Sequence, residues 1–240
     1  MLRNAEIVLR GGKVALQGHD EFEEIDIAIE NGKVADIGAC FAGETEIDLR
    51  GLIVLPGGID SHVHFNDPGF TFREDFYSGN CAAAAGGITT IIDMPCTSIP
   101  PVTNAINLKH KLDTISKEAI IDYGLFGGVC AQMFKGDFAA DMDSIADDVL
   151  GFKTYFLSGM ESFGHLDHFQ FEQVLRAAKH LDSIVLLHAE DLAYVDSATI
   201  FHQCLGDSPV DYYRSRPEIA EVLAIESAVR LAEKVGADLH

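Results

Sequence analysis

The sequence predicts an α/β protein in two parts, a small β unit over residues 1–51 and a parallel sheet covered by helices over 52–240. Three observations predict it. The first fifty residues carry short alternating runs broken at glycines. From Leu52 onward, short apolar runs alternate with helical stretches. Those apolar runs show no polar face, and strands buried on both sides between helices belong to parallel sheets.

In the first part, Ala5–Arg10 ends at Gly11-Gly12, and Ile25–Glu30 alternates strictly before Asn31-Gly32. Asn-Gly between alternating runs is a hairpin signal, because both residues accept the left-handed backbone that a tight turn needs. Residues 33–38 and 46–49 continue the style, so an antiparallel unit is expected. In the second part the strand candidates are Leu52–Leu55, Ile88–Ile92, Ile120–Leu125, Phe152–Leu157 and Ile184–Leu187. Helical stretches fall near 74–85, 105–116, 169–181 and 217–235. A (β/α)8 TIM-type barrel takes roughly 250 residues. Residues 52–240 therefore hold only its first five to six units, with Gly236–His240 opening a sixth strand.

The net charge is −21, from 38 Asp and Glu against 17 Lys and Arg. Such a surface repels nucleic acid and anionic lipid. Five cysteines at 40, 81, 96, 130 and 204 show no CxxC pair, as expected of reduced thiols in the cytoplasm. No run reaches the roughly 18 apolar residues of a membrane span, and the first residues lack a signal core.

Three strand ends carry chemistry. His62 and His64 follow Pro56-Gly57-Gly58 and Asp60. Residues two apart on an extended chain share a side, so both imidazoles can reach one cation. Lys153 lies in the aromatic strand Phe152–Leu157. A free ammonium there bears a large desolvation cost, so the side chain snorkels, meets an anion or gives up its proton. A neutral amine can add carbon dioxide and become a carbamate. His188 closes the apolar run 184–187, and Glu190 and Asp191 follow where they could orient its ring. Each histidine alone is as consistent with a structural role. Their recurrence along one βα series makes them candidate metal ligands.

Taken together, residues 56–70 (PGGIDSHVHFNDPGF) and 73–101, with GFKTYF, VLLHAED and SRPEIAEVLAI, resemble the cyclic amidohydrolases: the allantoinases, dihydroorotases and hydantoinases. The resemblance implies a barrel with an N-terminal β-sandwich domain completed from the C-terminal end. It implies two divalent metal ions, zinc first and manganese, cobalt or iron as alternatives. His62 and His64 would hold one ion, carboxylated Lys153 would bridge both, and His188 would bind the second. It also implies a homo-oligomer, dimer or tetramer, acting on a small cyclic amide by hydrolysis with a metal-activated water. His240 matches the first histidine of an H-x-x-H-type motif. The usual ligand and the proton-shuttling aspartate would then lie past the end, as in a fragment.

Asn66 is the candidate substrate-binding residue. Dihydroorotases resemble H-x-H-L-R-E-P-G there and have an asparagine at the place of Cys96, both serving a substrate carboxylate. Neutral Asn66 cannot form that charge-assisted pair. Asn66–Gly69 and Met94-Pro95 with Ser98–Pro101 resemble the allantoinase pattern more, with Cys96 and Thr97 departing from it. An allantoinase-like enzyme is the leading expectation. A dihydroorotase, another cyclic ureide or imide hydrolase and a non-catalytic dihydropyrimidinase-like scaffold stay open.

Overall fold

Asn31 and Gly32, at φ 52° and 70°, make the tight turn that their sequence predicts. They join β2 (Glu23–Glu30) to β3 (Lys33–Gly38), and β1 (Arg3–Val14) and β4 (Phe41–Asp48) complete the order β3-β2-β1-β4. This is a computed structural model, and it describes residues 3–240; the first two residues of the 1–51 unit lie outside it.

The expected antiparallel unit is corrected to a mixed one. β1 pairs antiparallel with β2, and β2 with β3, but β4 runs parallel to β1. The chain does not turn back after Gly38. Cys40, at φ 67°, kinks it, and it carries on in the same sense along the other edge of β1. A second correction concerns Leu52–Leu55. β4 covers β1 only as far as Arg10, which leaves polar backbone groups near Val14 to be satisfied. β5 (Ile53–Val54) satisfies them by pairing in parallel with Lys13 and Val14. That run is therefore a strand of the N-terminal sheet, and the boundary moves from 51/52 to 57/58. Ala5, Val8, Ala28 and Phe41 form the unit's small buried cluster.

In the unit beginning at Gly58, β6 (Gly58–Val63), β7 (Ile88–Asp93) and β8 (Asp122–Leu125) pair in parallel. So do β9 (Gly127–Gly128), β10 (Phe152–Tyr155) and β11 (Val185–His188). β8 and β9 are one run of chain interrupted at Phe126. Its successive amides serve different partners: Phe126 N donates to Asp93 O, Gly127 N to Gly151 O, Gly128 N to Val102 O and Val129 N to Lys153 O. The run joins two ladders into one wall of parallel strands in chain order. A side chain at Gly128 would meet the Phe163 ring at 2.5 Å, so the close passage requires glycine. Leu239 makes an isolated parallel bridge to Val185, in the run where the sequence anticipates a sixth strand.

The helices are α1 (Phe76–Ala85), α2 (Ala105–Ile115), α3 (Phe138–Asp143), α4 (His168–His180), α5 (Leu192–Gln203), α6 (Pro209–Arg214) and α7 (Glu218–Val235). Asp75, Asp137, Asp167 and Asp191 cap α1, α3, α4 and α5 by accepting from the backbone N–H three residues on. Part of the acidity is thus structural, satisfying helix-end amides that would otherwise lack partners. Ala220, Ala224, Ala228 and Ala232 recur every four residues along the buried face of α7. Phe76, Ile91, Phe152, Phe163, Phe171 and Val185 anchor the main core. Among the described residues no helix is long and apolar enough to cross a membrane.

Candidate metal centre

His62 lies in β6 and His64 just beyond its end, and their ring centroids are 5.3 Å apart. Lys153 is the second residue of β10, and His188 ends β11. Tyr155 pairs in register with His188, and the two rings lie 5.3 Å apart. The same phenol ring faces Lys153, whose Nζ is 5.1 Å from its centroid. Cys96 is buried between the strands, its Sγ 3.4 Å from His64 Nδ1 and 2.9 Å from the Tyr155 hydroxyl. That contact leaves His64 Nε2 as the ring's other donor atom.

The electrostatics favour uncharged donors. Burial pulls the basicity of His64 down to about 4, helped by positive charge on His62, Lys153 and His188. His62 is lowered too, by burial first and then by Lys153 and His240. Burial likewise lowers Lys153, which is 4% exposed and has no carboxylate in ion-pair range among the described residues. All three groups are shifted toward the form that carries a free lone pair. Among the described residues no three His, Cys, Asp or Glu side chains lie close enough to hold an ion by themselves. The donor set is therefore a histidine pair beside an amine shifted toward its neutral form, chemistry that would suit a divalent cation.

His188 Nε2 is 2.8 Å from Glu190 Oε2, the orienting contact that its sequence neighbours suggest. Asn66 is half-buried, and its amide donates to the His64 carbonyl oxygen at 3.4 Å, a local bond back onto its own strand.

Three residues escaped the sequence reading. Tyr155 stands two positions after Lys153 in one strand, so period-two alternation could have placed it on the same side. Burial raises its hydroxyl well above the ordinary phenol range, which keeps it protonated. Asp93 and Lys111 form an ion pair at 2.6 Å with both side chains essentially unexposed. The signal was there: Leu108, Lys111, Leu112 and Ile115 share the spacing of one helix face, and a charge inside such a stripe calls for a buried partner.

The description of the amidohydrolase family matches residues 53–234. An allantoinase from Rubrobacter xylanophilus is 36% identical over 98% of this chain and 51% of its own length. A dihydroorotase from Methanosarcina mazei is 34% identical over 92% of this chain and 48% of its own. An L-hydantoinase structure from Arthrobacter aurescens superposes with a TM-score of 0.89 at 26% identity, covering 98% of this chain and 52% of that one. The chain spans about half the length of the curated relatives it matches. From residues 53 to 234, and in the company of allantoinases, dihydroorotases and hydantoinases, it belongs to the amidohydrolase family, within the cyclic amidohydrolase group.

Proposed function

We propose that this chain forms part of a binuclear metal hydrolase that opens a neutral cyclic ureide, in the manner of an allantoinase. The observation that carries the reading is the gathering of His62, His64 and a buried, charge-averse Lys153 around Cys96 and Tyr155. The parallel wall is taken as the first strands of a closed (β/α)8 barrel, and the N-terminal sheet as one layer of a sandwich. The five free cysteines suit a cytoplasmic protein. Ile200, Phe201, Tyr212 and Tyr213, left exposed on α5 and α6, suit a homo-oligomer.

Two divalent cations, zinc first and manganese, cobalt or iron as alternatives, would supply Lewis acidity toward water and the ring carbonyl. His62 and His64 would hold one ion. The Lys153 amine, which burial shifts toward its neutral form, would add to carbon dioxide through that form. A nitrogen–carbon bond forms, a proton leaves, and the resulting carbamate offers two oxygens. His188, with Nε2 engaged by Glu190, would offer its other ring nitrogen to the second ion. Tyr155 keeps its proton and can donate it as a hydrogen bond to oxygen charge developing on the ring carbonyl. By family resemblance, an aspartate would carry the proton to the departing ring nitrogen.

Neutral Asn66 and the thiol of Cys96 leave these two positions without a cation for a carboxylate, which favours a ureide over dihydroorotate. The test is metal analysis of the full protein, followed by ring-opening assays on allantoin, dihydroorotate and hydantoin. Two metals per chain with allantoin preferred about a hundredfold, or about 2.7 kcal/mol, is the expected result. Faster turnover of dihydroorotate would overturn the substrate assignment. A protein that binds no metal would overturn the enzyme reading in favour of a scaffold.

A further inference from the structure

We infer that Lys111 is a positioning residue for the candidate centre, fixing through Asp93 the backbone that carries His64 and Asn66; the inference rests on the metal-hydrolase reading above. Lys111 lies on the core face of α2 and is 1% exposed. Its Nζ has three donors and finds three acceptors: Asp93 Oδ2 at 2.6 Å, Ser98 Oγ at 3.1 Å and the carbonyl oxygen of Asp67. Burying an ammonium and a carboxylate costs several kcal/mol of desolvation each, and well-packed apolar residues of similar volume often do better. The neighbours of Lys111 on that face, Leu108, Leu112 and Ile115, show how easily the place could be apolar. Stability alone is therefore a poor reason for the pair.

Its connections give a better one. The second Asp93 oxygen, Oδ1, accepts from Phe65 N at 2.8 Å, the peptide directly after His64. The Asp67 carbonyl held by Lys111 lies on the other side of Asn66. Ser98, two residues after Cys96, holds the same Asp67 oxygen at 3.3 Å. One ammonium thus ties the connector after β6, which carries His64 and Asn66, to the connector after β7, which places Cys96 against His64 Nδ1. Such a cross-tie fixes where the imidazole sits without touching it.

The experiment uses the full protein loaded with cobalt, whose visible absorption reports ligand geometry, with the melting temperature measured alongside. In the double variant Lys111→Met/Asp93→Asn, which leaves no unpaired charge, the melting temperature should stay within about 5 °C of the parent. Cobalt affinity should nevertheless fall about tenfold and the absorption band should shift. Ser98→Ala removes an acceptor from Lys111 and a donor to Asp67 but no charge. It should weaken cobalt about threefold with a melting temperature within about 5 °C of the parent, and it decides the matter if the double variant does not fold. Parent-like affinity and spectrum in the folded variants would overturn the positioning role while leaving the metal reading intact. A parent protein that takes up no cobalt would overturn both.

Discussion

Replacing Gly79 by alanine sets two effects of opposite sign against each other. In an unobstructed helix interior the change gains about 1 kcal/mol, because alanine gives up less backbone freedom than glycine. Gly79 lies in α1 and is buried. A Cβ built there would stand 2.8–2.9 Å from three atoms of the Phe65 ring. That ring has little room to move. It packs edge-on against Phe76 at 5.4 Å, and the Phe65 amide is fixed to Asp93. Forcing a methyl into a close-packed core costs about 1–3 kcal/mol. The sum predicts a net loss of about 1 kcal/mol. The chain has no tryptophan, so unfolding is best followed by circular dichroism in urea, comparing midpoints at constant slope. In a Phe65→Leu background the same glycine change should cost less by at least about 0.5 kcal/mol, the signature of a direct contact. A stabilised Gly79→Ala protein, or additive effects of the two changes, would refute the reasoning.

Lys153→Met removes an amine whose burial disfavours its charge, so stability should hold or rise by about 1 kcal/mol while bound metal drops below two per chain; full metal content by elemental analysis would contradict the bridging role. Asn66→Arg should raise kcat/KM for dihydroorotate relative to allantoin, modestly, since Cys96 still lacks the amide that the resemblance assigns to carboxylate binding; an unchanged ratio would remove position 66 from the substrate site. The Arg50 guanidinium holds Asp48 down at about 2, so this pair stabilises the fold above the ordinary carboxylate range and loses its contribution as pH falls through about 2. A carboxyl titration by NMR should show that low midpoint, and Arg50→Ala should return it toward about 3.9.

Much of this was legible because periodicity and ligand spacing are local properties of the chain. Asn31-Gly32 announced its turn, the strands at 88–92 and 152–157 announced a doubly buried sheet, and His62, His64, Lys153 and His188 announced themselves by ending or interrupting apolar runs. What the sequence withheld depends on partners far along the chain. Leu52–Leu55 reads as a strand on any sheet; only the uncovered end of β1 decides which one takes it. β4 reads as a strand too, but its direction follows from the kink at Cys40. α5 and α6 carry too many apolar residues on their outer faces for helical periodicity to stand out. Lys111 interrupts an apolar helix stripe and so calls for a buried partner, but that Asp93, 18 positions back, is the one appears only in space.

The run through Phe126 also offers a way to watch the wall open. Four consecutive amides, from Phe126 to Val129, are bonded to Asp93, Gly151, Val102 and Lys153 in turn. In native-state hydrogen exchange each would report on a different neighbour while differing little in position. Uniform protection across the four would mean that the two ladders open as one cooperative unit. Alternating protection, with Gly127 and Val129 parting from Phe126 and Gly128, would mean that β10 and β11 separate while β7 stays closed, and the sequence of opening could be read from a stretch of four residues.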